Sequence, residues 1–207
     1  MSAAQSSDYE PAIRMACEAK AFDRATRLAL EAYGKEILSF LYSRVRNPSN
    51  AQDAFSTFAE DIWTGFPGFG FRCSVRTWMY TVARNAAARI MASPEQRAAR
   101  NLAISNVGEI SELVARLRTE TDAFQRTDVK DRFAALRDQL SSDDQMLLIL
   151  RVDRGLSFRE LALAINGDTE LDDAAIVREA ARLRKAFERV KVELRVLAEQ
   201  AGLLRRD

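Results

Sequence analysis

Helix breakers are scarce and clustered in this chain, and that constrains its fold more than any other feature. Its 207 residues hold only 8 glycines and 4 prolines. Long stretches rich in Ala, Leu, Arg and Glu run between the breakers, and these residues favour helix. The expected class is all-α: two small helical domains joined by a linker.

The breakers divide the chain. Apolar positions Leu30, Tyr33, Ile37, Phe40 and Leu41 recur at helical spacing within a stretch from about Glu18 to Arg46. Asn47-Pro48-Ser49-Asn50 ends it, with Asn50 expected to cap a helix over Ala51 to Trp63. Gly65-Phe66-Pro67-Gly68-Phe69-Gly70-Phe71 forms the one glycine-rich loop. A third helix is expected from about Ser74 to Ala92, closed by Ser93-Pro94. The first domain is therefore read as residues 10–93. Residues 94–128 are more polar and read as a linker carrying short helices, with a structured lid as the alternative.

The second domain is read as residues 129–200. Phe133, Leu136 and Leu140 share a helix face. Ser142-Asp143-Asp144-Gln145 and Ser157-Phe158-Arg159-Glu160 have the spacing of capping boxes. They predict helices over Asp143–Val152, ended at Gly155, and from Ser157 through Ile165, stopped by Asn166-Gly167. A long helix follows from about Ala174 to Gln200, with Ile176, Ala180, Leu183, Phe187, Val190, Leu194 and Leu197 as its apolar stripe. A short capped helix, a turn and a longer basic helix is the order of a helix-turn-helix.

Composition narrows the chemistry. There is no histidine, so the commonest general base and transition-metal ligand are missing. Two isolated cysteines, Cys17 and Cys73, exclude a CxxC pair and suit a reducing cytosol, with one disulfide as the alternative. No secretion signal and no apolar run of membrane-spanning length appears. No enzyme, metal or cofactor is expected, and the expected location is cytoplasmic.

The formal net charge is only +1, but the charge is patterned. Residues 71–89 carry Arg72, Arg76, Arg84 and Arg89 with no acid, giving +4. Residues 178–195 also sum to +4, whereas residues 51–61 sum to −3 and residues 168–173 to −4. Phe69, Phe71, Trp78 and Tyr80 interleave with the first arginine group. Aromatic faces stack on unpaired bases and guanidinium groups hold phosphates, so this stretch reads as a nucleic-acid contact. The competing account is a solvated charged face over core aromatics.

The run from Phe71 to Asn85, with Arg76-Thr77-Trp78-Met79-Tyr80 and Ala83-Arg84-Asn85 within it, resembles the bacterial extracytoplasmic-function sigma factors of RNA polymerase. The resemblance extends over about residues 20–93 and 129–195. It implies that Phe71, Arg72, Ser74, Arg76, Thr77, Trp78, Tyr80, Thr81, Arg84 and Asn85 lie in or beside the −10 contact, where single-stranded DNA is held. The helix around Asp53, Ser56, Thr57 and Glu60 is similar to the family's segment that grips the β′ clamp of core polymerase. Leu156 to Ala162 and Ala175 to Ala186 look like its helix-turn-helix. That likeness implies −35 contacts at Ala175, Val177, Arg178, Ala181, Arg182, Arg184 and Lys185. The implied partners are core RNA polymerase (β′ and β subunits), promoter DNA and an anti-sigma factor, with no membrane. A helix-turn-helix regulator that does not engage polymerase is the alternative.

Overall fold

The structure, a computed structural model, describes residues 9–45, 47–92, 108–122, 135–166 and 172–203. Among these every regular element is helical, and no helix is long and apolar enough to cross a membrane. The chain divides into two compact units, Met1–Gln125 and Arg126–Asp207.

The first unit opens with α1 (Tyr9–Glu18) and α2 (Phe22–Val45). The helix expected from about Glu18 thus starts at Phe22, after an unexpected α1, because Lys20 between them takes a left-handed φ of 56°. That conformation costs a non-glycine residue energy and breaks the helical hydrogen-bond ladder. Helix α3 (Pro48–Gly65) begins earlier than expected. Asn47, not Asn50, is its cap: the Asn47 side chain accepts from the Asn50 N–H at 3.0 Å. Pro48 at the first helical position has its φ already set for the helix and gives up an N–H that had no partner there.

A 3-10 turn (Phe66–Gly68) leads into the loop before α4 (Val75–Ala92). Tyr33, Ile37, Phe40 and Leu41 of α2, Phe55, Phe58 and Ile62 of α3, and Met79 and Tyr80 of α4 are all essentially inaccessible. Each large apolar side chain buried this way contributes about 2 kcal/mol. Phe40 and Tyr80 meet edge-on with ring centres 5.3 Å apart.

The region expected to be a linker contributes a helix, α5 (Gly108–Asp122), to this unit. It packs mainly on α2, burying Ile110, Leu113, Val114 and Leu117. Gly34 makes the approach possible: a Cβ there would lie 2.6 Å from Leu117 Cδ1. A glycine inside a helix costs about 1 kcal/mol against alanine, and here it admits the α5 side chain. The rest of residues 94–128 lies outside the described residues.

The second unit contains α6 (Ser142–Leu148), which widens into a π-helical turn at Ile149–Asp153. Its cap is Ser141, one residue before the expected Ser142, accepting from the Asp144 N–H at 3.2 Å. Gly155 ends the segment at φ 70°. Helix α7 (Phe158–Ile165) begins with the capping box read from the sequence, complete in both directions between Ser157 and Glu160. Helix α8 (Asp173–Gln200) is capped by Asp172, whose carboxylate accepts from the Ala175 N–H at 2.6 Å. Part of the acidic run therefore has local work: Asp172 caps, and Asp173 pairs with Arg159 at 2.9 Å. Its first four residues, and Phe133, lie outside the described residues. Leu140, Leu148 and Val190 form the buried centre, with Phe187, Leu194 and Leu197 against it.

Candidate nucleic-acid interface

The first unit presents an aromatic cluster at the start of α4. Phe66 is buried and lies 4.9 Å from Trp78 between ring centres. Phe69 stacks on Trp78 at 4.5 Å, 18° from parallel, and Phe71 lies 4.6 Å from Phe69. Trp78, Phe69 and Phe71 are half-buried, and Arg72 beside them is exposed. Trp78 is therefore a support whose face Phe69 already occupies, with Phe69 and Phe71 outward of it. Gly65 is needed underneath: a Cβ there would come within 2.9 Å of the Trp78 ring. Phe71 holds a left-handed φ of 53°, rare for a bulky residue. Ser74 caps α4, accepting from the Thr77 N–H at 3.1 Å.

The remaining residues expected on this face divide by burial. Thr77, Tyr80 and Thr81 are 1%, 1% and 5% exposed. This corrects the expectation that they form the contact surface: they face the core because helix α4 packs on both α2 and α3. Arg76 is half-buried and bound by Glu36, with Nε 3.2 Å from Oε2 and a second contact through its terminal nitrogen. Tyr80 donates to the same carboxylate at 2.6 Å. Arg89 pairs with Asp61 of α3. Arg84 donates to Asn85 Oδ1 at 2.9 and 3.2 Å. Two charges of the +4 stretch, Arg76 and Arg89, are thus paired with carboxylates within the protein, and Arg72 and Arg89 are its exposed members. Glu36 lies 40 residues from Arg76, so nothing local in the sequence announced it. Phe69, legible in its alternation with Phe71, stands between Phe71 and Trp78 in this cluster.

On α3, Asp53, Thr57 and Glu60 share one face at helical spacing and are half-buried. Ser56 points to one side of them, toward α5. Arg118 donates to Ser56 Oγ at 3.3 Å and to Gln52 Oε1 at 2.8 Å. Ser56 is already engaged within the unit.

In the second unit, Val177, Arg178, Ala181, Arg182, Arg184 and Lys185 are exposed along α8, and Ala175 is half-buried. Among the described residues no ion pair takes Arg178, Arg184 or Lys185. Arg182 is bound by Glu179 at 2.6 and 2.8 Å. That hydrogen bond, ahead of its charge, holds the Glu179 carboxyl below the usual glutamate range, and it raises the Arg182 guanidinium further. Arg151 and Arg184 lie over the Phe158 ring at 4.8 and 5.2 Å. These residues line a cleft of about 470 Å³ with Ser157, Arg159 and Val177. A basic helix flanked by a cleft whose guanidiniums are splayed over an aromatic ring suits a phosphate backbone.

No cluster of His, Cys, Asp or Glu able to hold a metal ion occurs among the described residues. Cys17 and Cys73 are free thiols, and burial pushes the Cys17 thiol up, away from reactive thiolate.

A short capped helix and a long basic one in the second unit, with an aromatic cluster in the first, suit a helical DNA-binding protein. Residues 29–95, which run from within α2 through the aromatic loop and α4, match the family described as Sigma-70 region 2. The chain is also 24% identical over 168 residues to the ECF RNA polymerase sigma factor SigX of Bacillus subtilis (strain 168), covering 81% of this chain and 86% of that protein. No solved structure matches it significantly. Most of the chain is thus similar to an RNA polymerase sigma factor of the extracytoplasmic-function class, and residues 29–95 match the sigma region 2 domain. A helix-turn-helix regulator that does without polymerase is not favoured, since the matched region is the first unit.

Proposed function

We propose that this sigma factor directs core polymerase to promoters by two contacts, one from each unit. The first unit captures the unpaired −10 strand on Phe69, Phe71 and Trp78, with Arg72 at the phosphates. Unstacking a base costs a few kcal/mol, and stacking on an aromatic ring returns about 1–3 kcal/mol per base. The second unit anchors duplex DNA at −35 through Arg178, Arg182, Arg184 and Lys185. Ala175, Val177 and Ala181 lie near the base edges. Asp53, Thr57 and Glu60 meet the β′ clamp, with Ser56 at the edge of that face. The protein carries out no reaction itself and works in the cytoplasm beside polymerase and DNA, under an anti-sigma partner. The domain division that goes with this is residues 10–93 for polymerase and −10 binding and 129–200 for −35 binding.

The observation that carries the reading is the Phe66–Phe69–Phe71–Trp78 cluster, which lies inside the Sigma-70 region 2 match. Run-off transcription with core polymerase and the promoter upstream of the chain's own gene tests it. A transcript that depends on this protein is expected. No transcript, with no co-purification of polymerase, would overturn the reading.

A further inference from the structure

Helix α4 begins with three N–H groups that have no partner within the helix, and all three are taken up in an unusual way. Ser74 accepts from Thr77. The other two are held by Glu10, a residue of α1. Its Oε2 accepts from the Val75 N–H at 2.9 Å and its Oε1 from the Arg76 N–H at 3.2 Å. The same Oε1 accepts from the Tyr33 hydroxyl at 2.9 Å. Burial first, and then the Glu10 charge, push the Tyr33 phenol well above its ordinary range, so it stays a donor. A carboxylate at this end also meets the positive pole of the helix dipole. From the same helix, Arg14 lies over the Phe71 ring at 5.1 Å. Helix α1 therefore grips the C-terminal part of the aromatic loop at two points: Glu10 where the loop becomes α4, and Arg14 at Phe71.

Neither the reading of the chain as a sigma factor nor the resemblance behind it assigns a role to α1. We propose that Glu10 is a positioning residue for single-strand capture. By pinning the first turn of α4 from 65 residues away, it holds Phe69 and Phe71 over Trp78 in the arrangement an unpaired base needs. A loop so held does not have to be ordered when DNA arrives, which lowers the cost of binding. This rests on the loop being the strand trap. Because Glu10 already fills the N-terminus of α4, the inference also places DNA phosphate at Arg72 and not at that helix end.

The test uses the full chain with two readouts. Amide hydrogen exchange at Val75 and Arg76 reports the cap without any DNA. Permanganate reactivity of the promoter upstream of its own gene, with core polymerase, reports opening. Glu10→Ala should speed exchange at both amides and lower opening by about tenfold, the size expected for a lost cap. Binding of polymerase and of duplex DNA should stay within about twofold, since neither surface involves α1. Glu10→Gln keeps one acceptor oxygen and turns an NH2 toward the other amide, so it should protect only one of the two amides and restore opening in part. If Glu10→Ala is poorly folded, the Gln variant alone decides: faster exchange at one of the two amides with a matching partial loss of opening supports the proposal. Fast exchange with undiminished opening in either variant overturns it, as does parallel loss of duplex binding and opening. If the wild-type chain fails to open the promoter, the strand-trap reading fails and the positioning role with it. The exchange data then show whether the cap itself exists.

Discussion

Glu36 receives both the Arg76 guanidinium and the Tyr80 hydroxyl. A half-buried carboxylate with two donors ties α2 to α4, directly behind the aromatic loop. Breaking such a contact one partner at a time is costly, because the other is left partly desolvated. Tyr80→Phe removes one donor while Arg76 keeps Glu36 paired, so a stability loss of about 1 kcal/mol is expected in urea unfolding. Gly65 has the opposite constraint, a lack of space. In Gly65→Ala the new methyl meets the Trp78 ring, on which Phe69 stacks. Overpacking of this kind costs about 1–3 kcal/mol. The expected result is a shift of Trp78 emission and reduced promoter opening, with duplex binding by the second unit retained. A variant that opens promoters normally would show that Trp78 need not sit where it does.

At the scale of elements, capping chemistry was legible and its exact placement was not. The Ser157–Glu160 box was read correctly because both halves lie within one turn. At Asn47 and Ser141 the cap sits before the expected residue. Each of these regions offers two polar residues able to cap, and packing of the following apolar face chooses between them. On α8, Glu179 and Arg182 are one turn apart and bind each other. Glu179→Gln should release Arg182 toward DNA, tightening duplex binding and steepening its salt dependence. The pair also has a pH signature. The folded Glu179 carboxyl titrates below its unfolded value, so its stabilisation is whole above the ordinary glutamate range and is lost as pH falls through the lower folded value. Acid titration of helicity should show this component in the wild type and not in the Gln variant. Because Arg182 is mostly exposed, the effect is small.

At the scale of the whole molecule, the charge balance sets behaviour toward DNA. With a net charge of +1 and Arg76, Arg89 and Arg182 held by carboxylates, the unpaired outward positive charge among the described residues is confined to a few such as Arg178, Arg184 and Lys185 of α8. The free chain should bind mixed-sequence duplex only weakly, with a Kd of about 10 μM or weaker near physiological salt. Fluorescence anisotropy of a labelled duplex, with and without core polymerase, checks this. Tight binding by the free chain would mean that the ion pairs open readily.

The sequence by itself determined the helical class, the succession α2 to α4 and α6 to α8, the aromatic loop before α4 and the exposed basic face of α8, but not α1 or the packing of α5. These depend on breakers, periodicity and caps, which act over a few residues. The tertiary structure alone decided which way each side chain of α4 turns and which charges remain outward. Their partners are remote: Arg89 meets Asp61 28 residues away, Tyr80 meets Glu36 44 away, and Val75 meets Glu10 65 away. A one-dimensional pattern places an arginine on a helix. Whether it faces a phosphate or a carboxylate is settled only when distant helices pack.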